Sequence, residues 1–269
     1  MLKRMLKGKN KWWAILAVTT LLALGVVLVS RSKPEEESPR AVKPQLPVNL
    51  IDLKDRPYVT LQPLIGRNLL KIVVHDLKKE ADSVELVLEY DRNEGVLDAV
   101  LYEYLLTKLP YEDEIFLGSK SAGGHTTYHD DVIGGKMRLN FEGKEDYALE
   151  VPWRYDDSET SYQQLSTSDA RFQLTLEDPI RQSKIIVMES PGLPDDVDRE
   201  VLAGPYFVST VGDLPETKAE VKIRLNEENA EAVIVGWDGE EWVEYETVVD
   251  GKNLGASGDL MSTYIVVKS

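Results

Sequence analysis

The chain has 269 residues, 31 Lys and Arg against 47 Asp and Glu, a formal net charge of −16 and no cysteine. The lack of cysteine excludes disulfides, thiolate catalysis and every zinc or iron–sulfur site that uses a cysteine ligand. The acidic surplus repels nucleic acid and therefore disfavours a DNA- or RNA-binding role. The length is sufficient for one large domain or two modest ones.

The first thirty residues differ in charge from the rest of the chain. Residues 1–11 hold five cations and no acid, which leaves 26 basic and 47 acidic residues beyond them, a net charge of −21. Residues 12–30, WWAILAVTTLLALGVVLVS, carry no charge. A helix of this length covers roughly 28 Å, enough to span a bilayer. We predict a single-pass transmembrane signal anchor in the cell membrane, because cations remain cytoplasmic and the C-terminus then lies outside the cytoplasm.

A cleaved signal peptide is the alternative interpretation of the same segment. Ala23-Leu24-Gly25 is an acceptable small-x-small cleavage site, and cleavage there would give a secreted protein. The apolar run continues for several residues past that site, which favours the anchor. An exported protein without cysteine is typical of organisms that do not use disulfides in their envelope, which favours a bacterial or archaeal source.

Residues 31–48, RSKPEEESPRAVKPQLPV, contain four prolines and many charges, which predict a stiff, solvated linker. From about Asn49 onward, apolar and polar residues alternate, as is typical of half-buried strands. Shorter continuous apolar runs occur at 72–74, 185–188, 233–235 and 265–267. We therefore predict a mainly β fold, with one or two antiparallel β-sandwich domains after the transmembrane helix. The alternating apolar residues are Val84/Leu86/Leu88/Tyr90, Met137/Leu139/Phe141, Tyr147/Leu149/Val151, Phe172/Leu174/Leu176 and Val221/Ile223/Leu225.

One segment of this region fits either a helix or a strand. Its apolar residues fall at helical spacing but also suit a strand, so both alternatives stay open; they are Leu97, Val100, Leu101, Tyr104 and Leu105.

The sequence also indicates how this region is divided. Turn signals such as 134–135, 142–143, 191–192, 238–239 and 250–251 divide the rest into hairpins. The segment SPGLPDDVD near residues 190–200 predicts a boundary between a β-rich module at 49–190 and a C-terminal module at 200–269.

One polar cluster suggests metal binding. In GGHTTYHDDVIGG, the residues His125, His129 and Asp131 lie on one side of a strand, and imidazole with carboxylate can bind a divalent cation such as Zn²⁺ or Ca²⁺. The alternative is a hairpin or exposed loop whose polar residues need no ligand. The segment lacks the HExxH spacing in which a glutamate supplies the general base.

Other motifs carry weaker signals. The segment 118–124, GSKSAGG, lacks the lysine and hydroxyl that follow the glycine of a phosphate-binding loop. The acidic segments 91–95 and 195–198 resemble calcium loops but complete no EF-hand. Only His75, His125 and His129 could act as the base in a serine hydrolase, and no G-x-S-x-G segment is present. Four aromatic residues could stack on sugar rings or pack in the core: Trp153, Tyr155, Trp237 and Trp242.

The last seventy residues combine Trp237-Asp238-Gly239, a second tryptophan at Trp242 and a final Ser262-Thr263-Tyr264. This pattern resembles a β-sandwich module of bacterial surface proteins that ends in a W-D-G-x-x-W hairpin and an S-T-Y strand, and it is similar to the ankyrin- and netrin-receptor-type sandwich domains. Some of those relatives cleave themselves at a His-Phe-Ser triplet. Here residues 260–262 read Leu-Met-Ser, without the histidine, so the resemblance implies no self-cleavage.

Three hypotheses for function follow. The first is a membrane-anchored, non-enzymatic extracytoplasmic protein that binds an envelope protein or glycan partner. The second is an anchored hydrolase acting on glycan or peptide. The third is a sensor ectodomain, which the short cytoplasmic segment of about eleven residues disfavours.

Overall fold

A computed structural model describes residues 45–269 except 67, 93, 94, 122, 130, 158–160 and 182. The predicted cytoplasmic segment 1–11, the predicted transmembrane helix 12–30 and most of the predicted linker 31–48 lie outside the described residues. Across the residues that are described, no helix has the length and apolar character needed to cross a membrane. Residues Leu46–Ser269 form one compact unit.

The described chain is mainly β, as predicted, with one short 3-10 helix at Leu53–Asp55. The strands are β1 Val59–Pro63, β2 Leu69–Val74, β3 Ser83–Arg92, β4 Val96–Leu105, β5 Tyr111–Phe116, β6 Gly118–Lys120, β7 Thr126–Tyr128, β8 Val132–Glu142, β9 Tyr147–Asp157, β10 Ser161–Ser166, β11 Phe172–Arg181, β12 Lys184–Glu189, β13 Val201–Thr210, β14 Lys218–Arg224, β15 Ala232–Trp237, β16 Trp242–Glu244, β17 Val248–Asp250, β18 Asn253–Asp259 and β19 Thr263–Lys268.

Four antiparallel sheets are built from these strands. A nine-stranded sheet has the order β16-β15-β19-β13-β12-β9-β8-β3-β4. A five-stranded sheet has the order β10-β11-β14-β18-β17, a three-stranded sheet has the order β1-β2-β5, and β6 pairs with β7. The alternating segments of the sequence lie in β3, β8, β9, β11 and β14, and their apolar side chains are buried as the period of two predicts.

The central strand β12 is buried on both faces. Ile186 and Met188 belong to a hydrophobic core that also contains residues of β1, β2 and β5. Ile185 and Val187 point the other way, into a second core that contains residues of β11, β14 and β18. The three-stranded and five-stranded sheets therefore cover opposite faces of the nine-stranded sheet. This double burial explains why residues 185–188 form a continuous apolar run instead of an alternating one.

The segment that enters the domain pairs with an inner strand. Val48 forms a parallel bridge with Ala148 of β9, and the backbone N–H of Asn49 donates to the Ala148 carbonyl at 2.9 Å. The Asn49 side chain donates to the Glu150 carbonyl at 2.8 Å and accepts from its N–H at 3.1 Å. β12 pairs only with residues 153–157 of β9, so the entering segment occupies the edge of β9 that β12 leaves open.

Two predictions about local structure are settled by these strands. Residues 97–105 lie in strand β4, so the helical alternative is wrong. The turn predicted at 134–135 is also wrong, because Gly134 and Gly135 lie inside β8 and pair with β3 and β9. The predicted boundary near 190–200 falls in the connection between β12 and β13, which pair with each other. Strands on both sides of that boundary therefore share one sheet.

Candidate functional site

The three predicted metal ligands lie around the β6–β7 hairpin. His125 is exposed in its turn, where the His125 carbonyl accepts from the N–H of Ser121 at 2.9 Å. Asp131 is exposed after the hairpin and has a left-handed φ of 60°. Residues 118–120, part of the rejected phosphate-loop motif, form the first strand of this hairpin.

His129 is held by several neighbours. Its Nδ1 is hydrogen-bonded to the Tyr90 hydroxyl at 2.9 Å and lies 3.5 Å from Oδ2 of Asp98. Asp98 is also 2.8 Å from Nε of Arg92. Burial, reinforced by Asp98, raises the pKa of Tyr90 to about 12, so the phenol stays protonated. The Nδ1 atom of His129 is thus occupied within the protein, so a metal ion could bind this ring only through Nε2.

No three His, Asp or Glu side chains in the described part of the chain form a group that could hold a metal ion. This includes His125, His129 and Asp131, which the structure does not bring together as a ligand set. The acidic segment 195–198 is exposed, and Asp196 pairs with Lys78 at 3.3 Å. A Zn²⁺ or Ca²⁺ site at the hairpin stays a prediction from sequence.

The four aromatic candidates for sugar stacking occupy different surroundings. Trp153 and Tyr155 are buried in the first core, and the Trp153 indole donates to the Glu89 carbonyl at 3.2 Å. Trp237 and Trp242 face each other across the β15–β16 hairpin, with ring centroids 5.3 Å apart. Trp237 is half-buried and lines a cleft, whereas the first two rings are packed too deeply to contact a ligand.

Polar groups converge on a cleft of about 1300 Å³, which we name the carboxylate cleft. One wall is β1 with the adjoining Tyr58 and His75, and the other comprises the segment 210–218, the turn after Trp237 and residues 259–262. Ser209 fixes β1 against β13 by donating to the Leu61 carbonyl at 2.8 Å. The cleft therefore lies where the three-stranded sheet meets the nine-stranded sheet.

The rim of the carboxylate cleft is strongly negative. Among the described residues, Lys218 is the one lysine of the cleft lining, and no arginine contributes to it. None of its carboxylates forms a salt bridge within the described residues. Carboxylates that converge on a concave surface focus the field and attract cations. The six carboxylates are Glu177, Asp178, Asp213, Glu216, Asp238 and Asp259.

Asp238 has a second role in shaping the rim. Its Oδ1 accepts from the backbone N–H groups of Glu240 and Glu241, both at 2.8 Å, in the turn of the β15–β16 hairpin. These two hydrogen bonds lower the pKa of Asp238 and keep the carboxylate charged. The charged Asp238 carboxylate therefore also stabilises the β15–β16 turn that carries it.

The β1 wall of the cleft contains a stacked pair of rings. Tyr58 and His75 have centroids 4.6 Å apart, and His75 Nε2 is hydrogen-bonded to the Thr60 hydroxyl at 2.9 Å. The neighbouring Asp76 accepts from the Tyr58 N–H at 2.8 Å and pairs with Lys78 at 3.1 Å. Thr60 is fully buried, so its hydroxyl cannot reach a substrate in the cleft. This histidine and threonine pair thus stabilises the wall of the cleft.

The environment of His75 predicts a pH effect on stability. Burial, partly offset by Asp76, lowers the pKa of His75 below its ordinary value of 6.5. At a pH between the lowered pKa of His75 in the folded protein and its ordinary pKa in the unfolded chain, the unfolded chain binds more protons than the folded one. The contribution of His75 to stability is therefore complete above about pH 6.5 and decreases below it. We expect the free energy of unfolding of the wild type to fall more between pH 8 and pH 5 than that of His75→Phe, as measured by urea titration. Parallel curves for the two proteins would contradict this assignment.

Tyr245 supports the opposite wall. Its hydroxyl donates to the Asp259 carbonyl at 2.6 Å, and its ring lies against Gly236 and Gly258. A Cβ at Gly236 would lie 2.8 Å from the Tyr245 ring and 2.8 Å from Cγ of Met261. Both glycines are therefore needed because an aromatic ring approaches the backbone closely. Sequence inspection singled out Trp237 but not these glycines, whose role depends on packing between distant strands.

A scan against models of known protein families finds no match. Neither the curated proteins nor the solved structures contain a chain that matches this one. The likeness of residues 200–269 to a surface-protein sandwich module stays a prediction, and function must be argued from the carboxylate cleft itself.

Proposed function

We propose that this protein is anchored in the membrane by residues 12–30 and acts outside the cytoplasm as a non-enzymatic binding protein of the cell envelope. The observation that supports binding is the carboxylate cleft, in which six carboxylates face one lysine beside the half-buried aromatic ring of Trp237. Such a surface suits a positively charged, extended segment of a protein partner, because the carboxylates attract its lysines and the Trp237 ring packs against an aliphatic stem.

The anchored location rests on sequence alone. The five cations before residue 12 and the charge-free segment after it favour an uncleaved helix with the acidic domain outside. Mass spectrometry of the mature protein would test this point. We expect the peptide that spans residues 1–25 to be retained in the membrane fraction, and its loss would instead support a secreted protein cleaved after Gly25.

Binding can be tested with a fluorescent peptide of alternating lysine and glycine, titrated with the full-length protein and followed by anisotropy. We expect saturable binding that weakens as salt rises, because exposed charges are screened. Removing two rim charges in the double variant Asp213→Asn with Glu216→Gln should weaken binding about tenfold, since two charges of this kind together contribute about 1.4 kcal/mol.

The matched control neutralises two exposed carboxylates away from the cleft, Glu227 and Glu228, by changing both to glutamine. The net charge then changes by the same amount while the cleft stays intact. Equal weakening by the two double variants would show general attraction to an acidic protein and would contradict the cleft as the site. Saturable binding of a neutral oligosaccharide, without binding of the peptide, would indicate that the partner is a glycan and not a protein.

A further inference from the structure

Strand β4 is the last strand of the nine-stranded sheet, and its outer edge is open. In the part of the chain that the structure describes, its backbone hydrogen-bonds only to β3. An edge strand presents a row of unpaired N–H and C=O groups, and proteins usually protect it with proline, lysine, a bulge or a short length. β4 is ten residues long, pairs with β3 without a break in register, and contains no proline, glycine or lysine.

The outer face of β4 is apolar. Leu97, Leu101 and Leu105 are exposed by 64%, 63% and 67%, although each is a large hydrophobic side chain. Side chains alternate along a strand, so these three share one face, while Tyr102 and Tyr104 point to the other. The Tyr102 hydroxyl accepts from the Phe116 N–H at 2.9 Å, which shows that this second face is turned towards β5. Open backbone groups and an apolar face thus occur on one strand.

The spacing of the leucines indicates what could cover them. They are four residues apart, so the row is symmetric about Leu101. A second β4 laid antiparallel, with a two-fold axis at Leu101, would place Leu101 opposite its own copy and Leu97 opposite Leu105. Isologous contacts of this kind are the usual basis of two-fold dimers. The same sequence therefore supplies both halves of an apolar contact.

The charges of β4 are compatible with this register. Glu103 would face Ala99, and the two copies of Glu103 would be separated by four residues, about 13 Å along the strands. That distance exceeds the screening length of about 8 Å at physiological salt. Asp98, the other charged residue of the strand, is paired with Arg92 of its own chain at 2.8 Å. No two carboxylates come directly opposite each other.

We propose that β4 pairs with β4 of a second copy of this chain, in antiparallel register centred on Leu101. The two nine-stranded sheets then continue into one another across the two-fold axis, through added-strand hydrogen bonds and the leucine row. The carboxylate cleft is built from other elements, so each copy retains its own cleft.

Cysteine cross-linking of the full-length protein in detergent micelles tests this register, because the chain has no cysteine of its own. Opposed residues of antiparallel strands have Cα atoms about 4.5–5.5 Å apart, which suits a disulfide. Under mild oxidation we expect Leu101→Cys to form a dimer, and Leu97→Cys mixed with Leu105→Cys to form a mixed dimer. Val248→Cys, equally apolar and 70% exposed on β17, is the control for random collision.

Paired cysteines have an effective concentration near the millimolar range, so at about 10 μM protein the Leu101→Cys dimer should form on the order of a hundredfold faster than the Val248→Cys dimer. Leu97→Cys alone should match the Val248→Cys control. Equal rates for Leu101→Cys and Val248→Cys, or efficient self-linking of Leu97→Cys, would overturn the proposal.

Sedimentation of variants without cysteine provides a second measurement. We expect the wild type to sediment with a protein mass of twice 30.3 kDa and Leu101→Lys as the monomer, because the axis would bring two lysines together. Val248→Lys should remain dimeric. A monomeric wild type, or a dimer unaffected by Leu101→Lys, would contradict self-pairing and would leave β4 as an edge for a strand of a different protein.

Discussion

Replacement of Gly134 by alanine is expected to lower the free energy of unfolding by about 4 kcal/mol, combining backbone strain of about 1–3 kcal/mol with overpacking of similar size. Gly134 has φ of 112° and lies on β8, paired on both sides with β3 and β9. An added Cβ would overlap the carbonyl oxygen of Trp153 and lie 2.6 Å from Cα of Arg154. Backbone of a paired strand cannot move aside as a flexible side chain can. Urea unfolding of the full-length protein, followed by tryptophan fluorescence, measures the effect.

Substitutions at two further glycines distinguish the effect of backbone strain from the effect of overpacking. Gly124 also has a positive φ, of 79°, but has open space around it, so Gly124→Ala should cost about 1 kcal/mol. Gly135 has no positive φ, but its Cβ would overlap the Glu89 carbonyl oxygen, so Gly135→Ala should cost about 2 kcal/mol. A Gly134→Ala protein no less stable than Gly124→Ala would show that Gly134 does not lie against the backbone of Trp153 and Arg154.

The isoleucine pair at the centre of β12 gives the second large effect. Ile185 and Ile186 are adjacent, both buried, and point into opposite cores. Ile185→Ala and Ile186→Ala should each lower the free energy of unfolding by about 3 kcal/mol, because each leaves a cavity in a close-packed interior. Calorimetry of both variants and of the wild type measures the transitions.

The same pair tests whether residues 49–190 and 200–269 are separate folding units. Because β12 and β13 contribute side chains to both cores, we expect one cooperative transition that either substitution shifts. Two transitions in the wild type, with Ile186→Ala lowering only one and Ile185→Ala only the other, would instead support two modules that unfold independently.

Much of the sheet content could be predicted from the sequence, because a half-buried strand shows its period of two directly, as β3 and β8 do. The pairing order could not. Nothing in the local pattern of Phe172–Leu176 indicates that β11 pairs with β14 across almost fifty residues. The alternatives left open at 97–105 have a physical cause: β4 is apolar on both faces, and this places apolar residues at helical as well as strand spacing.

The carboxylate cleft was not predictable for a similar reason. Its walls come from residues near 58–75, 177–178, 210–218 and 237–262, and only folding brings them together. Sequence inspection concentrated on His125, His129 and Asp131 because they are close in the chain. Local patterns did single out His75 and the segments 237–239 and 260–262, but nothing in the sequence indicated that they line one cleft. In a chain with 47 acidic residues, local sequence does not show which carboxylates come together at the rim.

The way in which the chain enters the domain has a mechanical consequence. Any pull transmitted through residues 31–48 reaches the fold at Val48 and Asn49, which are bonded to the edge of β9 that β12 leaves open. Val48 runs parallel to β9, so traction along the chain loads its hydrogen bonds together, in shear, and does not peel them apart one at a time. Arg138 adds a further bond to the Leu46 carbonyl at 2.6 Å. Together these hydrogen bonds would resist tension applied to the domain through residues 31–48.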